Sequence, residues 1–590
     1  MKPITDTQSV QAWLAAFETA IESATVTGFE RLFEPGAYWR NMLGLDFSVK
    51  TLSGASVISP ELLAACQQSN PANFRIDNSA TPPRRVVRAG TDALEAFFLF
   101  ETNTGRGRGV LRLKLDAAGS DPEVSSQAWT LLTALHELKG FEETVDRNRP
   151  SGQVHSRDFR GLNWLDQRQQ SVAFTDREPA VLVVGAGQAG LSIAARLTQL
   201  GVDTLVIDKN ARVGDNWRNR YHALTLHNQV YANHLPYMPF PPNWPVYIPK
   251  DKLASWMEHY AEAMELNIWM SSELLESRFD EEQQCWQARV TSASGDTRLL
   301  TPRHIVMATS ISGMPKLPEI PGLEDFQGDV LHASAYRDGT DHKGKSALVI
   351  GMGTSGHDIA QDLACGGAST TMVQRGSTMI VNIEPGGQLP YSLYHEGPGL
   401  DDCDLITVAM PFPLQRQSHI GFTATAKQQD WPLLEQLEQR GMKLDYGPDE
   451  TGWQFKYLTR GGGYYFNVGA SEMIADGTIK LIQYSYIQKF DSLGISLNDK
   501  SRIDLDLIVL ATGYHGMGAM VEKLFGTDVA SKVGPIWGFD DDGLELRNLY
   551  CQTPQRGLWF AGGSFAQCRI NSKYLGLQIK ASEEGLLSVH

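Results

Sequence analysis

The sequence lacks three features, and each absence excludes a class of protein. Its six cysteines are scattered without the spacing of a metal site or a redox pair, a pattern typical of reduced thiols. No apolar stretch is long enough to cross a bilayer, and the first residues contain no apolar signal region. No basic run offsets the formal net charge of −16, which argues against nucleic acid or a membrane surface as a partner. We therefore expect a cytoplasmic protein with no metal site.

The remaining composition is that of an ordinary globular protein. Hydrophobic residues make up 42% and charged residues 20% of 590 positions. This length allows roughly three to four domains.

A glycine-rich turn between a predicted strand and a predicted helix indicates a dinucleotide site, here called the first unit. The apolar run Val181–Val184 is followed by Gly185, Gly187 and Gly190, then by a periodic helix and a strand ending at Asp208. The first glycine forms the turn, the second lets the backbone approach a pyrophosphate, and the third packs helix against strand. The helix N-terminus faces the phosphates, and the acid accepts hydrogen bonds from ribose hydroxyls.

A second unit of the same kind begins at Ala347. Its turn contains Gly351, Gly353 and Gly356, and the strand after its helix ends beside Arg375. An acid at this position would hold the ribose of NAD, whereas an arginine can pair with a 2′-phosphate. The second unit therefore indicates NADPH, with a plain surface arginine as the alternative interpretation.

Residues 326–336, between the two units, fit the pattern FxGxxxHxxxY. This segment resembles the fingerprint of the flavin-containing monooxygenases (class B flavoprotein monooxygenases), and Ala511-Thr512-Gly513 resembles that family's ATG motif. Tyr336 stands where Baeyer–Villiger members usually have tryptophan, which favours the amine- and sulfur-oxidising or the YUCCA-type branches. The resemblance is closest to the YUCCA type. It covers about residues 178–585 and implies an α/β fold with two Rossmann-type domains.

The resemblance implies FAD in the first unit and NADPH in the second. Beyond the glycines, Asp208 and Arg375, it assigns further residues to cofactor binding: Gly214, Trp217, Ala511, Thr512, Gly513 and Gly562. Asp208 stands where glutamate is commoner in the family.

Catalytic and substrate-binding candidates lie in two other segments. His227 and Asn228 form an adjacent polar pair in a Pro-rich aromatic loop and can donate and accept hydrogen bonds near a flavin edge. Ordinary loop hydrogen bonding is the alternative. Arg569 and Lys573 are predicted to approach the flavin's pyrimidine end or a substrate carboxylate, with solvent exposure as the alternative.

Residues 1–145 are predicted to form a separate small α+β domain that resembles the nuclear-transport-factor-like cone of the ketosteroid isomerase superfamily. A role in packing, in oligomerisation or as a lid is left open. Residues 146–178 are predicted to be an extended linker. The FAD domain is placed at 179–340 and 500–590, and the NADPH domain at 341–499. The latter includes a substrate-side insertion at about 382–469.

The implied activity is that of an NADPH-dependent monooxygenase that inserts one oxygen atom from dioxygen into a small organic substrate through a peroxyflavin. Oxidative decarboxylation of an aromatic 2-oxo acid such as indole-3-pyruvate is preferred. N- or S-oxygenation of an amine or sulfide and Baeyer–Villiger oxidation are alternatives. Two further classes are a pyridine-nucleotide disulfide reductase, whose CxxC or CxxxxC pair is missing, and a non-catalytic flavin-binding protein. Whether the chain forms a homodimer is left open.

Overall fold

The computed structural model describes residues 5–115, 127–150 and 159–587. Its N-terminal region contains three helices and seven strands: α1 (Asp6–Ser23), α2 (Val26–Glu30), β1 (Phe33–Met42), β2 (Val49–Ser53), α3 (Ala55–Ser69), β3 (Ala72–Ile76), β4 (Arg84–Arg88), β5 (Thr91–Glu101), β6 (Gly105–Lys114) and β7 (Ala128–Leu138). Helix α1 begins with a capping box between Thr5 and Gln8 and buries a stripe that includes Trp13 and Phe17.

The seven strands form one sheet in the order β2-β1-β7-β6-β5-β3, and β4 also pairs with β5. Strands β1 and β7 are parallel, and the other pairs are antiparallel. One face of the sheet is apolar and contributes to a core with the three helices that contains Trp13, Phe17, Phe29, Phe33, Phe74, Phe98 and Phe100. The other face carries Arg40, Glu95 and Arg112, which are buried against the rest of the chain.

The next part of the chain contains a linker helix and the first unit: α4 (Trp164–Ala173), β8 (Val181–Val184), α5 (Gln188–Gln199), β9 (Thr204–Asp208), α6 (Asp215–Arg218), α7 (Lys250–Ala263), β10 (Ile268–Met270), β11 (Glu273–Asp280), β12 (Cys285–Thr291), β13 (Thr297–Leu300), β14 (His304–Met307) and β15 (Met314–Pro315). Helix α4 interrupts the linker predicted to be extended. A capping box between Asn163 and Asp166 starts this helix.

The second unit and its insertion follow: β16 (Asp329–His332), β17 (Ser346–Ile350), α8 (Thr354–Cys365), β18 (Ser369–Gln374), β19 (Met379–Asn382), α9 (Leu400–Val408), α10 (Phe412–Gln439), α11 (Gly452–Arg460), β20 (Tyr464–Asn467), α12 (Ala470–Asp476) and β21 (Lys480–Gln483). A 3-10 helix, Gly386–His395, precedes α9. The insertion is therefore mainly helical.

The C-terminal part completes both units: β22 (Ile487–Asp491), β23 (Gly494–Leu497), β24 (Arg502–Asp504), β25 (Leu507–Leu510), β26 (Tyr514–His515), α13 (Met517–Phe525), α14 (Thr527–Val533), β27 (Leu558–Phe560) and α15 (Phe565–Glu583). In the described ranges, no helix combines the length and apolar character that a membrane span requires.

Two parallel five-stranded sheets organise this larger part of the chain. The first has the order β10-β9-β8-β14-β27 and the second the order β16-β25-β17-β18-β21. The predicted α/β fold with two Rossmann-type units is confirmed. The two sheets do not follow the predicted domain boundaries. Strands β16 and β25 lie in the second sheet, although their residues fall within 179–340 and 500–590, the ranges predicted for the FAD domain. Strand β25 lies between β16 and β17, so both strands belong with the second unit.

The polar face of the N-terminal sheet packs on the C-terminal end of α9. Arg40 Nη1 donates to the Val408 carbonyl at 2.8 Å, and Arg112 Nη1 donates to the Ala409 carbonyl at 2.7 Å. These carbonyls close the helix, where cations are favoured because the last carbonyls have no partner within the helix. Arg40 also forms a bidentate pair with Glu545, at 2.7 and 2.6 Å. The N-terminal sheet is thus joined to the insertion by buried arginines.

Candidate functional site

The glycines of the first turn differ in what surrounds them. Gly185 has φ +112°, and a Cβ there would lie 2.7 Å from the Ala308 carbonyl oxygen. A Cβ at Gly190 would overlap the Gly185 carbonyl oxygen. Gly187 has an ordinary φ of −78°, and its Cβ would meet only Asn216 Nδ2, at 3.4 Å. Gly185 and Gly190 are therefore needed by the fold, whereas the backbone at Gly187 is open to a ligand.

The N-terminus of helix α5 and the carboxylate of Asp208 lie on either side of the open backbone at Gly187. The N-cap of α5 is Gly187, which has no side chain to satisfy the first backbone N–H groups. Asp208 accepts hydrogen bonds from the Ala186 and Asn210 backbone N–H groups, each at 2.8 Å. The carboxylate fixes the turn and retains acceptor capacity for a ribose hydroxyl. This arrangement suits the pyrophosphate and ribose of a dinucleotide.

The segment after Asp208 contains two further cofactor-binding candidates. Gly214 has φ +88°, and a Cβ there would overlap the Ala254 carbonyl oxygen in α7. The ring centroid of Trp217 lies 6.1 Å from that of Phe565. The buried Nε1 of Trp217 has no hydrogen-bond partner within the part of the chain that the structure describes. A buried N–H without an acceptor is costly, so this indole fits a site completed by a ligand acceptor. Both cofactor roles stay predictions.

Gly562 follows β27 beside the same turn. Its N–H donates to the Tyr550 hydroxyl at 3.1 Å, and the same hydroxyl donates to the Gly562 carbonyl at 2.9 Å. The Gly563 carbonyl accepts from Gln188 Nε2 in the first turn of α5, at 3.1 Å. The segment after β27 therefore closes over the N-terminus of α5.

The second turn repeats the geometry of the first. Gly351 has φ +131°, and its Cβ would overlap the Ala511 carbonyl oxygen; a Cβ at Gly356 would overlap the Gly351 carbonyl oxygen. Gly353, the N-cap of α8, has φ −89° and nothing within 4 Å of its Cβ position. The second unit thus has the same open backbone and uncapped helix N-terminus as the first.

The segment Ala511-Thr512-Gly513 is tied to the strand that connects the two units. The Thr512 hydroxyl donates to the Lys316 carbonyl at 2.6 Å, and the Gly513 carbonyl accepts from the Lys316 N–H at 3.0 Å. His332 Nε2 lies 3.0 Å from the same Gly513 carbonyl. The His of FxGxxxHxxxY therefore fixes the junction between the units. In the same motif, the buried Tyr336 donates to Asp362 at 2.6 Å.

Arg375 follows the end of β18 and is exposed. Among the described residues, its side chain has no hydrogen bond or ion pair. The guanidinium is therefore accessible to a ligand, and pairing with a 2′-phosphate stays a prediction.

His227 and Asn228 lie in a loop held by the insertion. His227 Nε2 lies 3.7 Å from Asp358 Oδ2 in α8, and the His227 carbonyl accepts from Gln388 Nε2 at 2.9 Å. Asn228 Nδ2 donates to the Tyr391 hydroxyl at 2.9 Å. The pair therefore lies where the first-unit loop, α8 and the insertion meet, and both side chains are half-buried.

Sequence reasoning missed a group of aromatic residues of the insertion, of which Tyr391 contacts Asn228. We call Tyr391, Tyr457 and Tyr464, with Trp453, the aromatic wall. The ring centroid of Trp453 lies 6.0 Å from that of Tyr391 and 5.8 Å from that of Tyr464. The Tyr457 phenol lies close to the Ser564 backbone after β27. The sequence displays aromatic density here, but only the fold brings these side chains together.

The phenols of the aromatic wall remain protonated. Burial raises the pKa of Tyr391, Tyr457 and Tyr464 above the ordinary value for tyrosine. Each phenol can therefore donate a hydrogen bond at neutral pH.

Arg569 and Lys573, the substrate-binding candidates, lie in α15. Arg569 is buried, and its five donors contact Asp404, the carbonyls of Ala232 and His234, and the Tyr394 hydroxyl. Since a guanidinium has five N–H groups, Arg569 has no donor left for a substrate carboxylate.

Lys573 contacts the N-terminal domain. Its Nζ lies 2.7 Å from His136 Nδ1 on β7. Burial and the neighbouring Arg196 lower the pKa of Lys573 to about 8. A role of this lysine in substrate binding stays a prediction.

Comparison with known proteins gives a family model, two relatives and a solved structure that are similar to this chain. A family model described as pyridine nucleotide-disulphide oxidoreductase matches residues 182–385. The chain is 31% identical to the probable indole-3-pyruvate monooxygenase YUCCA9 of Arabidopsis thaliana, over 57% of this chain and 74% of that protein. It is 30% identical to the indole-3-pyruvate monooxygenase YUCCA1 of Oryza sativa subsp. japonica, over 57% of this chain and 77% of that protein.

A crystal structure of cyclohexanone monooxygenase with bound epsilon-caprolactone is similar in fold. It has a TM-score of 0.50 and 16% sequence identity, covering 69% of this chain and 88% of that chain.

Proposed function

The chain belongs to the flavin-containing monooxygenase family and is therefore an FAD- and NADPH-dependent oxidoreductase, and on this premise we propose that it decarboxylates an aromatic 2-oxo acid. In the proposed reaction, one atom of dioxygen enters the new carboxylate and the other leaves as water. The original carboxyl group leaves as carbon dioxide, and NADPH supplies two electrons. FAD, when bound, supplies the electron transfer and the reaction with dioxygen.

We propose that each unit holds one cofactor. In the first, the open backbone at Gly187, the N-terminus of α5 and Asp208 would hold FAD, with Trp217 beside it. In the second, the open backbone at Gly353 would hold the pyrophosphate of NADPH, and the exposed Arg375 would pair with its 2′-phosphate.

The aromatic wall beside Asn228 is the observation that carries the substrate proposal. Aromatic side chains give a flat substrate ring large contact area and favourable ring–ring geometry. The protonated phenols can donate hydrogen bonds to the carbonyl and carboxylate oxygens of an oxo acid, as can the Asn228 amide. Arg569 does not enter this proposal, because its donors are occupied. The relatives named indole-3-pyruvate monooxygenases support the same substrate class.

The disulfide reductase alternative lacks the residues for its chemistry. All six cysteines lie in the described part of the chain and are free, and the sequence pairs none of them at CxxC or CxxxxC spacing. Since such an enzyme works through a closely spaced cysteine pair, the match to a family model of that description reflects the shared dinucleotide units.

We infer that the N-terminal domain is nuclear-transport-factor-like and serves as a packing domain. One sheet covered on one face by three helices supports this inference, as do the buried arginines that join its other face to α9. Cytoplasmic location stays a prediction.

Product analysis tests the proposed reaction. The purified protein, supplied with FAD, NADPH and air, is offered indole-3-pyruvate and phenylpyruvate beside a tertiary amine and a thioether. We expect the one-carbon-shorter acid in proportion to the NADPH consumed. An N-oxide or sulfoxide formed while the oxo acids remain intact would replace the proposal by heteroatom oxidation.

A Tyr391→Phe variant tests the role of the aromatic wall. It keeps the ring but removes the hydroxyl that accepts from Asn228. We expect the yield of acid per NADPH to fall while FAD content is unchanged. An unchanged yield would remove this contact from substrate placement. Tyr486→Phe, the same change at an exposed tyrosine outside the aromatic wall, is the matched control.

A further inference from the structure

We propose that Arg569 is a positioning residue that holds the 227–234 loop, and thereby Asn228, in place through Asp404 and Tyr394. This inference rests on the proposed function, because Asn228 matters only if the loop borders the reaction site. It assigns to Arg569 a role other than substrate binding.

The guanidinium of Arg569 connects α9 to the loop. Its Nε and Nη2 bind the two carboxylate oxygens of Asp404 in α9, each at 2.7 Å. Its Nη1 donates to the carbonyls of Ala232 and His234, at 2.8 and 2.9 Å. The Tyr394 hydroxyl donates to Asp404 at 2.9 Å and accepts from Arg569 Nη2 at 3.4 Å. Every donor of this side chain is therefore used, and most of the contacts are charge-assisted.

The residue between the two bound carbonyls transmits this constraint to Asn228. Asn233 is buried, and its Nδ2 donates to the Asn228 carbonyl at 2.9 Å. Arg569 thus fixes the backbone on both sides of Asn233, and Asn233 fixes the backbone of Asn228. The side chain of Asn228 is held separately by Tyr391. The backbone of Asn228 is therefore fixed by Asn233, which Arg569 holds in place, and its side chain is fixed by Tyr391.

The N-terminal domain anchors the other end of this connection. Asp402 in α9 accepts from the Thr81 N–H at 2.8 Å and from Arg108 Nη2 at 3.2 Å. Arg40 and Arg112 bind the carbonyls at the end of the same helix. Helix α9, which presents Asp404 to Arg569, is held by the N-terminal sheet. This connection accounts for the buried ion pair between Arg569 and Asp404.

The shape of the side chain matters as well as its charge. A guanidinium presents donors in a rigid planar fork that serves a carboxylate and two carbonyls at once. A lysine ammonium has three donors in a compact group and cannot reproduce this geometry. Arg569→Lys therefore keeps the charge beside Asp404 but should release the loop carbonyls.

The test uses the full chain with FAD and compares two variants with the wild type. Arg569→Lys is the conservative variant. The double variant Arg569→Met with Asp404→Leu removes both charges together, so that no unpaired charge remains buried and the chain can still fold. The first readout is amide hydrogen exchange of residues 226–234. The second is the fraction of consumed NADPH electrons recovered as hydrogen peroxide with indole-3-pyruvate present.

A control removes an ion pair at the C-terminal end of α15, the helix that contains Arg569. Glu583, the last residue of α15, pairs with Arg303 and lies 3.1 Å from His304 Nε2, and none of the described hydrogen bonds or ion pairs of Glu583 and Arg303 involves residues 226–234. The double variant Arg303→Met with Glu583→Leu should leave both readouts at their wild-type values.

We expect exchange of residues 226–234 to be about tenfold faster in both Arg569 variants, the factor that loss of one hydrogen bond to a charged group gives. We also expect a larger fraction of peroxide while FAD content is unchanged. Unchanged exchange would overturn the inference, and so would faster exchange with an unchanged peroxide fraction. A wild-type protein that does not convert the oxo acid would refute the proposed function. The exchange comparison, together with peroxide release measured without substrate, would still decide the role of Arg569.

Discussion

Adding one methyl group at Gly187 or at Gly353 should remove one cofactor without unfolding the chain. At Gly187 an added Cβ meets only Asn216 Nδ2, at 3.4 Å, and at Gly353 it meets nothing within 4 Å. Both residues have φ values, −78° and −89°, that alanine adopts readily. Gly187→Ala should therefore lose FAD, and Gly353→Ala should lose affinity for NADPH.

The expected magnitudes separate folding from binding. Glycine-to-alanine replacement at a helix N-cap with a compatible φ changes stability by about 1 kcal/mol or less. A methyl group that keeps a pyrophosphate away from the turn removes about two backbone hydrogen bonds to a charged group. Each is worth about 1.5–3 kcal/mol. The combined loss, about 3–6 kcal/mol, corresponds to binding weakened at least about a hundredfold.

The assay measures FAD per chain by absorbance, the dissociation constant for NADPH, and the melting temperature. Gly190→Ala and Gly356→Ala are the controls, because a Cβ at either position would overlap a backbone carbonyl and should lower the melting temperature itself. A Gly187→Ala protein with full FAD content would refute the first assignment. Loss of FAD from Gly353→Ala with normal NADPH binding would show that the two cofactors are exchanged.

Three further predictions concern charged side chains. Arg375→Ala should raise KM for NADPH about 10- to 100-fold, through loss of one charge-assisted contact, and leave KM for NADH unchanged; equal effects on both coenzymes would remove Arg375 from the 2′-phosphate. Burial alone would raise the pKa of Glu95, but Arg112 and Arg88 lower it to about 2 from 4.5. The stability that the ionised Glu95 contributes should therefore be lost as pH falls from 4.5 to 2, and in Glu95→Gln the melting temperature should depend less on pH over that range. Burial lowers the pKa of Lys573 to about 8 from 10.5. Between pH 8 and 10.5 the unfolded chain therefore binds more protons than the folded chain, and the free energy of unfolding should rise with pH. A Lys573→Met protein that shows the same rise would contradict this prediction.

The parts of the site that could be predicted from the sequence are those set by neighbouring residues. Gly185 and Gly351 adopt positive φ, and Gly190 and Gly356 lie against the preceding turn, so the glycine spacing specifies each turn locally. The apolar stripe of helix α1, which includes Trp13 and Phe17, is likewise a local pattern. Such features need no knowledge of distant contacts.

The features that could not be predicted depend on residues far apart in the chain. The aromatic wall joins Tyr391 and Tyr464 in the insertion to the turn at Ser564. The sequence predicts that Arg569 approaches the flavin's pyrimidine end or a substrate carboxylate, because no local pattern indicates Asp404 as its partner. Strand β25 pairs with β17 in the second sheet although its residues are predicted to belong to the FAD domain, because pairing between parallel strands leaves no signal in either strand alone.

Helix α4 shows a different kind of error. Its capping box, Asn163 and Asp166, is a local signal, but its sequence is polar and buries no side chain. The polar composition therefore favoured an extended linker over a helix.

The most direct test of the account is incorporation of labelled oxygen. The purified protein, loaded with FAD, is supplied with NADPH, indole-3-pyruvate and dioxygen enriched in the heavy isotope, and the acid product is analysed by mass spectrometry. The proposed reaction predicts one labelled oxygen atom in each molecule of acid, with one NADPH consumed and one carbon dioxide released. Acid that carries no label, or NADPH consumed only to form hydrogen peroxide, would contradict it.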